Sequence, residues 1–514
     1  MRSVAWRLRL PMVLAIASCA QPGGAPTPAH DDRAALRYVI DSLLSAPETR
    51  QARWGVLIVD PARGDTLYSH DAGKLLVPAS NMKIVTSAVA LDALGPDFRY
   101  ATPIVARGDV RSGTLDGDLL VIGRGDPTVS DHVAGDAMFP LRAIAESLWV
   151  RGMRQVRGRV LSFGDAFPDA NVGYAWEYDD LSSSSGAPID ELLFNEGVSD
   201  IHVRGADRAG DPPQAHTSPA RTFPRLRIEA TTIVRGTSRD SLPQLDAVLD
   251  TLRGDVVVKG TIPAGDTTTI SVTHRDPSEA YIAALHEALL NRGIAIGDSV
   301  LPVAPRMDTL LLVRSIPLSQ ILPFFLKPSQ NQIGEVLFKT VALQRTDTGT
   351  ARVARRLVAE RLRSWGAQPD GFLVWDGSGL SRQDLVSPET IVRVLDAMRR
   401  GPHFQLYYDA LPVAGVDGTL RGRMRSTTGE ANVRGKTGTL SSVRSLSGFV
   451  TTAGGQQLLF SVLCNNYLVP TAYITRVQDT IAVRLSRLRL GDAGGSLRAG
   501  HGDRGGREAR GGRN

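Results

Sequence analysis

Cysteine is almost missing from this chain: two in 514 residues, Cys19 and Cys464. That excludes a disulfide framework and a multi-cysteine zinc site. The nine histidines form no ligand pair such as HxxxH, so neither a metal nor another cofactor is expected. Long hydrophobic runs are missing too. The single membrane-like stretch is short and N-terminal, which excludes a polytopic membrane protein. No fixed-period repeat occurs. With 42% apolar and 22% charged residues, wholesale disorder and a collagen-like chain are excluded as well. The length predicts about three domains.

Lysine is scarce in a telling way. Of 59 basic residues only six are lysine: Lys74, Lys83, Lys259, Lys327, Lys339 and Lys436. Arginine serves almost wherever a plain positive charge suffices. The lysines that remain are candidates for chemistry arginine cannot supply, such as losing a proton. The net charge of +6 is not a nucleic-acid footprint. Arg2, Arg7 and Arg9 lie in a leader-like segment, and the last 24 residues hold five arginines against three acids. Without both ends about +1 remains, too little for a polyanion partner.

Residues 1–19 read as a signal peptide: basic residues, a short apolar stretch over 10–18, then Cys19. Residues 16–19 (IASC) are similar to a lipobox with Cys19 as the lipidated residue; the alternative is ordinary cleavage near Ala20. The chain is therefore expected in the periplasm or cell envelope, with membrane contact only through a lipid anchor. Residues 20–32 form a Pro/Gly linker, and 491–514 a Gly/Arg-rich tail expected to be disordered. Cys464, in the apolar run 458–464, reads as a core cysteine.

Hydrophobic periodicity predicts an amphipathic helix over 32–45, strands at 54–60 and 66–69, and a helix from Ser80 to about Leu94. From about Phe98 to Leu311 short strands alternate with Gly-Asp turns, with a lone helix near 277–291. Helices return from Ile316, with Pro323 breaking one and a second beginning near Ser329. Strands at 446–452 and 457–464 form a hairpin through Gly454 and Gly455. A last helix repeats Ile474, Val477, Ile481, Leu485 and Leu488 along one face. The N-terminal strands and these C-terminal strands are expected to complete one sheet. The middle is then an insertion: 33–98 and 312–490 form a discontinuous domain, and 99–311 one or two accessory domains.

Three short motifs carry chemistry. In Ser80-Asn81-Met82-Lys83 the serine and lysine share one helix face. Ser80 sits at the first turn, where free N–H groups favour developing negative charge. A serine hydroxyl needs a base, and a lysine with a lowered pKa can serve. Alone this is weak, since an N-cap serine and a surface lysine look the same. Ser329-Gln330-Asn331 can present a hydroxyl and an amide to a cleft, or Ser329 can simply cap the next helix. In Lys436-Thr437-Gly438-Thr439, Lys436 and Thr437 on an edge strand can recognise a carboxylate. Gly438 permits close backbone approach, and the N–H of Thr439 can join that of Ser80 as an oxyanion hole.

SxxK, SxN and KTG in this order resemble the penicillin-binding proteins and serine β-lactamases. The stretches GRGDPT (123–128), WEYDDLS (176–182) with GAPI (186–189), DGSGLSR (376–382), LPVAGVDGTLR (411–421) and NVRGKTGTL (432–440) narrow the resemblance. They are similar to the class C low-molecular-mass penicillin-binding proteins, the D-alanyl-D-alanine carboxypeptidase/endopeptidase family, over about residues 33–488.

The resemblance implies an α/β (α+β) fold. A β-lactamase/transpeptidase-like domain with an antiparallel sheet and helices would be interrupted by a β-rich insertion. It implies a serine DD-peptidase acting on peptidoglycan stem peptides or cross-links and acylated by β-lactams. Ser80 would be the nucleophile, Lys83 its base, Ser329 a proton relay to the leaving amine, and Asn331 a holder of the substrate amide. Lys436 and Thr437 would bind the terminal carboxylate. Arg382 with Asp179 or Asp180 would suit a stem side chain bearing both an amine and a carboxylate, the alternative being an ion pair and a helix cap. Asp376 and Asp417 read as turn formers. The chain departs from the family pattern at Gln330, where Asp is common, and at Arg124 within a glycine run. A β-lactamase is disfavoured by the lack of a clear deacylating Glu, and a silent scaffold by the intact motifs.

Overall fold

The computed structural model describes residues 32–490 apart from 238–241, 251–252 and 301–305. The signal peptide, Cys19, the linker up to residue 31 and the 491–514 tail lie outside the described residues. A five-stranded antiparallel sheet runs in the order Arg434–Leu440, Val443–Thr451, Gln457–Asn465, Arg53–Asp60, Asp65–His70. The first and last parts of the chain thus share one sheet.

Both faces of this sheet are covered, which explains its continuous apolar strands. Alternation along the central strand sorts its residues. Leu459 and Leu463 join one buried cluster, while Leu458, Phe460, Val462 and Cys464 join the other. The second cluster includes Leu36, Ile40 and Leu44 of the helix Arg33–Ser45 and Ile474, Val477, Ile481 and Leu485 of the helix Thr471–Arg487. Burial holds the Cys464 thiol well above its usual range, as befits a core cysteine.

On the opposite face lie two helices buried almost all round. Met82–Leu94 is buried at every position from Met82 to Leu91, and Asn331–Thr346 from Gln332 to Leu343. A helix apolar on all sides belongs in a core. Polar residues between Met82 and Leu91 and between Gln332 and Leu343 are therefore desolvated.

Between Leu94 and Leu318 the chain builds other sheets. The strand Met307–Arg314 returns to pair with Ala101–Arg111, which pairs with Thr114–Ile122. This sheet is backed by Met138–Val150 and Pro277–Arg292 around a third buried cluster. A smaller fourth cluster packs strands from 198–273.

Three local expectations need correction. The helix near 277–291 is not alone in its region, since Met138–Val150 is also helical. Pro140 obscures it, yet Pro140 is the third helical residue, where no intrahelical N–H bond is lost. Pro323 does not break its helix, which runs Leu318–Leu326 with Pro323 inside. Leu318, Ile321, Leu322, Phe325 and Leu326 are all buried, and that packing outweighs one missing hydrogen bond. The next helix starts at Asn331, not near Ser329, and its cap is Gln330.

Candidate active site

Ser80 lies in a single 3₁₀ turn, Ala79–Asn81, that opens directly into the Met82–Leu94 helix. The turn is held in an uncommon conformation, with Ala79 at φ +48°. Several neighbours fix it. Asn465, at the end of the central strand, accepts from Val77 N–H (2.8 Å) and donates to Val77 O (3.1 Å). Ser445 Oγ donates to Pro78 O (2.7 Å), and the buried Asn81 amide donates to Lys436 O (2.8 Å).

One helical turn on, Lys83 is fully buried. Its Nζ lies 2.9 Å from Ser80 Oγ, 2.6 Å from Asn331 Oδ1 and 2.8 Å from Ser378 O. Burial pushes the amine down to about 7, against the opposing pull of Asp376, Glu335 and Asp384. Desolvation disfavours the charged form and here wins over three carboxyl groups. The result is an amine that is substantially neutral near neutral pH, within hydrogen-bonding distance of a serine hydroxyl.

The Ser-Gln-Asn segment occupies the opposite wall. Ser329 has φ +71°, and Gln330 takes the capping duty that would otherwise fall to a serine. Gln330 Oε1 accepts from Ile333 N–H (3.2 Å), while Nε2 donates to Glu196 Oε2 (2.7 Å). The departure from the family pattern therefore has a local meaning: an aspartate at 330 would face a carboxylate. Glu196, itself at φ +56°, also meets His132 Nδ1 (3.0 Å), and this contact raises the histidine's affinity for its proton. Asn331 is engaged at both ends, accepting from Lys83 and donating from Nδ2 to Ser185 O (2.8 Å). Its Nδ2 carries a second N–H that can meet a substrate amide carbonyl with the Ser185 bond kept.

The third wall is the edge strand Arg434–Leu440. A Cβ on Gly438 would lie 2.2 Å from Ser445 Oγ, 2.7 Å from Pro78 O and 2.9 Å from Ser80 N, so only glycine lets this strand pass so close to the serine. Lys436 is fully buried. Desolvation, aided by Lys83 and Arg444, holds it well below its usual range. Thr437 Oγ1 donates to Thr419 Oγ1 (2.7 Å), and Thr439 stands exposed at the rim with Arg444 on its hydroxyl.

Ser80, Ser329, Asn331, Thr437 and Thr439 line one cleft of about 500 Å³. Arg382 and Asp180 line it too; Asp179 is exposed and is not among the lining residues. Arg382 pairs with Glu177 (2.6 Å) and donates to Ser441 O (3.2 Å). Asp180 and Glu177 form a reciprocal cap on the turn Tyr178–Ser182. Asp417 is a turn former, accepting from Val413 N–H, and it also pairs with Lys327 (2.6 Å). Sequence reasoning missed Glu177, Ser185, Thr419 and the Ser378 carbonyl. No spacing rule points to them, although Glu177, Thr419 and Ser378 fall inside stretches that carried the resemblance. Arg124 has no resolved role at the cleft and does not line it.

The chain matches the D-Ala-D-Ala carboxypeptidase 3 (S13) family over residues 36–488. It is 34% identical over 474 residues to a D-alanyl-D-alanine carboxypeptidase of Actinomadura sp. (strain R39), covering 88% of this chain and 84% of the relative. It is 28% identical over 412 residues to the D-alanyl-D-alanine carboxypeptidase DacB of Haemophilus influenzae, covering 78% and 83%. The crystal structure of penicillin binding protein 4 (dacB) from Haemophilus influenzae superposes with a TM-score of 0.73 at 24% identity, covering 87% of this chain and 99% of that one.

Proposed function

The chain belongs to the D-Ala-D-Ala carboxypeptidase 3 (S13) family of serine peptidases, and on that premise we propose that it hydrolyses the D-Ala–D-Ala bond of peptidoglycan stem peptides, or the D-amino-acid cross-links between them, through an acyl-Ser80 intermediate. The observation that carries this reading is Lys83: fully buried, 2.9 Å from Ser80 Oγ, and pushed down to about 7.

In this mechanism Lys83 takes the Ser80 proton as Oγ attacks the carbonyl carbon. The N–H groups of Ser80 and Thr439 receive the oxyanion at the gap that Gly438 leaves open. Ser329 passes the proton to the leaving amine. Asn331 holds the substrate amide through its second Nδ2–H. Lys436 and Thr437 take the terminal carboxylate, whose charge draws a proton back onto Lys436. Water then hydrolyses the ester. Arg382 and Asp180, with Asp179 beside them, serve the ends of a stem side chain, and a substrate carboxylate competes with Glu177 for Arg382. β-Lactams acylate Ser80 as trapped substrates.

The N-terminal segment is proposed as an export signal ending at Cys19, with lipidation there tethering the enzyme to a membrane of the envelope. We also propose the division of the chain into a discontinuous peptidase domain, 33–98 with 312–490, and an inserted accessory region, 99–311.

Intact-protein mass spectrometry after brief incubation with penicillin tests the core of this reading. A stable one-drug adduct on wild type and none on Ser80→Ala is expected. Rapid drug hydrolysis without an adduct would make the chain a β-lactamase. No adduct and no hydrolysis would remove Ser80 as a penicillin target.

A further inference from the structure

Three carboxyl side chains that the proposed mechanism does not use lie behind Lys83. Glu335, Asp376 and Asp384 are 4%, 2% and 0% exposed. Each of the three accepts from the backbone of one loop, residues 375–381. Asp384 Oδ1 accepts from Trp375 N–H (2.6 Å). Asp376 accepts from Gly379 N–H (2.6 Å) and Ser381 N–H (2.7 Å), and also from Trp176 Nε1–H (2.9 Å). Glu335 Oε1 accepts from Gly377 N–H (3.1 Å) and Ser378 N–H (2.8 Å), with Oε2 3.2 Å from Gly377 N.

The loop returns two carbonyls to the helix that carries Lys83. Ser378 O accepts from Lys83 Nζ (2.8 Å), and Gly377 O accepts from Thr86 Oγ1 (2.7 Å). It has no slack on either side. A Cβ on Gly377 would lie 2.4 Å from Gly334 O, and one on Gly379 would lie 1.9 Å from Ala79 O. The loop is wedged between the helix of Asn331 and Glu335 and the turn of Ser80.

The geometry of an amine gives this wedge a purpose. Neutral Lys83 has two N–H bonds and one lone pair. To take the Ser80 proton it must turn the lone pair toward Oγ, so both hydrogens need acceptors elsewhere. Two acceptors are present, Asn331 Oδ1 and Ser378 O. Asn331 and Glu335 are one turn apart on the same helix. One helix therefore sets both acceptors, the first directly and the second through the two amides that Glu335 grips.

We infer that Glu335 is a positioning residue for the proton transfer: by clamping the Gly377 and Ser378 N–H groups it holds the loop whose Ser378 carbonyl aims the Lys83 lone pair at Ser80. The inference rests on the reading of Lys83 as the base. The reach of Glu335 matters for this role, and its charge does not. When Oγ–H gives its proton to Nζ and Oγ bonds to the carbonyl carbon, the ammonium that forms keeps Asn331 and Ser378 as partners for its other two hydrogens.

The test measures acylation by a chromogenic cephalosporin, resolved into noncovalent binding and the acylation rate constant, in the full chain. The variants are E335D, E335Q and K83A, with thermal melting to confirm folding. E335D keeps the charge but withdraws the carboxyl group from the amides. Its rate constant is expected to fall roughly 100-fold, as for a misplacement of about 1 Å, with noncovalent binding unchanged. E335Q keeps the reach and one accepting oxygen, and is expected to stay within about tenfold of wild type. The inference is overturned if folded E335D acylates at the wild-type rate, if E335Q is slower than E335D, or if only binding weakens. Should K83A acylate normally, the Lys83 reading itself falls. A slow K83A beside a fast E335D removes the Glu335 inference alone.

Discussion

Charge is handled in opposite ways in two parts of this molecule. Around the cleft, Lys83, Lys436, Glu335, Asp376 and Asp384 are all buried. Among the described residues of 198–273 the charged side chains stay at the surface: Arg225 with Asp255 at 71% and 24% exposure, and Arg235 with Asp266 at 75% and 38%. Exposed pairs of that kind contribute little. The apolar burial there is also modest, a cluster built on Ile201, Val203, Ala230, Val256, Val258 and Ile262. Burying lysines and carboxyl groups costs stability, so the difference marks where the chain gives up stability for chemistry.

The comparison is sharpened most by Lys83→Met, which keeps the length and removes the amine. Acylation is expected to slow by roughly 100- to 10,000-fold, the usual worth of a general base. The melting temperature is expected to stay level or rise, because a desolvated amine is gone; a large fall would break the contrast. Ile201→Ala is expected to do the reverse. It should cost about 2–5 kcal/mol in denaturant unfolding while cephalosporin acylation changes less than twofold. Next comes pH. A base pushed down to about 7 is protonated below that value and neutral above it. Wild-type acylation should therefore fall about tenfold per pH unit well below 7 and level off above it, whereas a flat profile from pH 5 to 9 would contradict an amine base. The smallest effect is expected where Gln330 meets Glu196, just ahead of the 198–273 segment. Gln330→Asp sets a carboxylate against Glu196 and should slow acylation by about tenfold, equivalent to about 1.4 kcal/mol. Adding Glu196→Gln should recover most of that loss.

The mixed α/β architecture and its antiparallel sheet were legible because short apolar runs bounded by turn residues mark the strands and the last helix shows one apolar face. The positions of Ser80, Lys83, Asn331 and Lys436 were legible as short spacings. Their meeting at one cleft was not, since three of the contacts span about 250 to 390 residues. Glu335 was opaque for a different reason. A single glutamate in a helix reads as a solvated position, and only the packing of Asn331–Thr346 on all sides reverses that reading. The alternative of Ser329 as a helix cap rested on the preference of serine for that position; Gln330 takes the task instead, with Ser329 in a left-handed backbone conformation. Met138–Val150 was missed because its proline falls in the first turn.

One consequence follows from the way the sheet closes. The strand Arg53–Asp60 finds its partner in Gln457–Asn465, and Asn465 grips Val77 just ahead of the serine. The serine-bearing turn thus gains its support from residues nearly four hundred positions later in synthesis. Contacts so distant along the chain are slow to form and leave partly folded states exposed meanwhile. A nascent or truncated chain ending before residue 457 holds every atom of Ser80 and Lys83, yet lacks the strand that seats them. On the proposed mechanism, acylation of Ser80 doubles as a timestamp: it switches on only once the strand Gln457–Asn465 has docked.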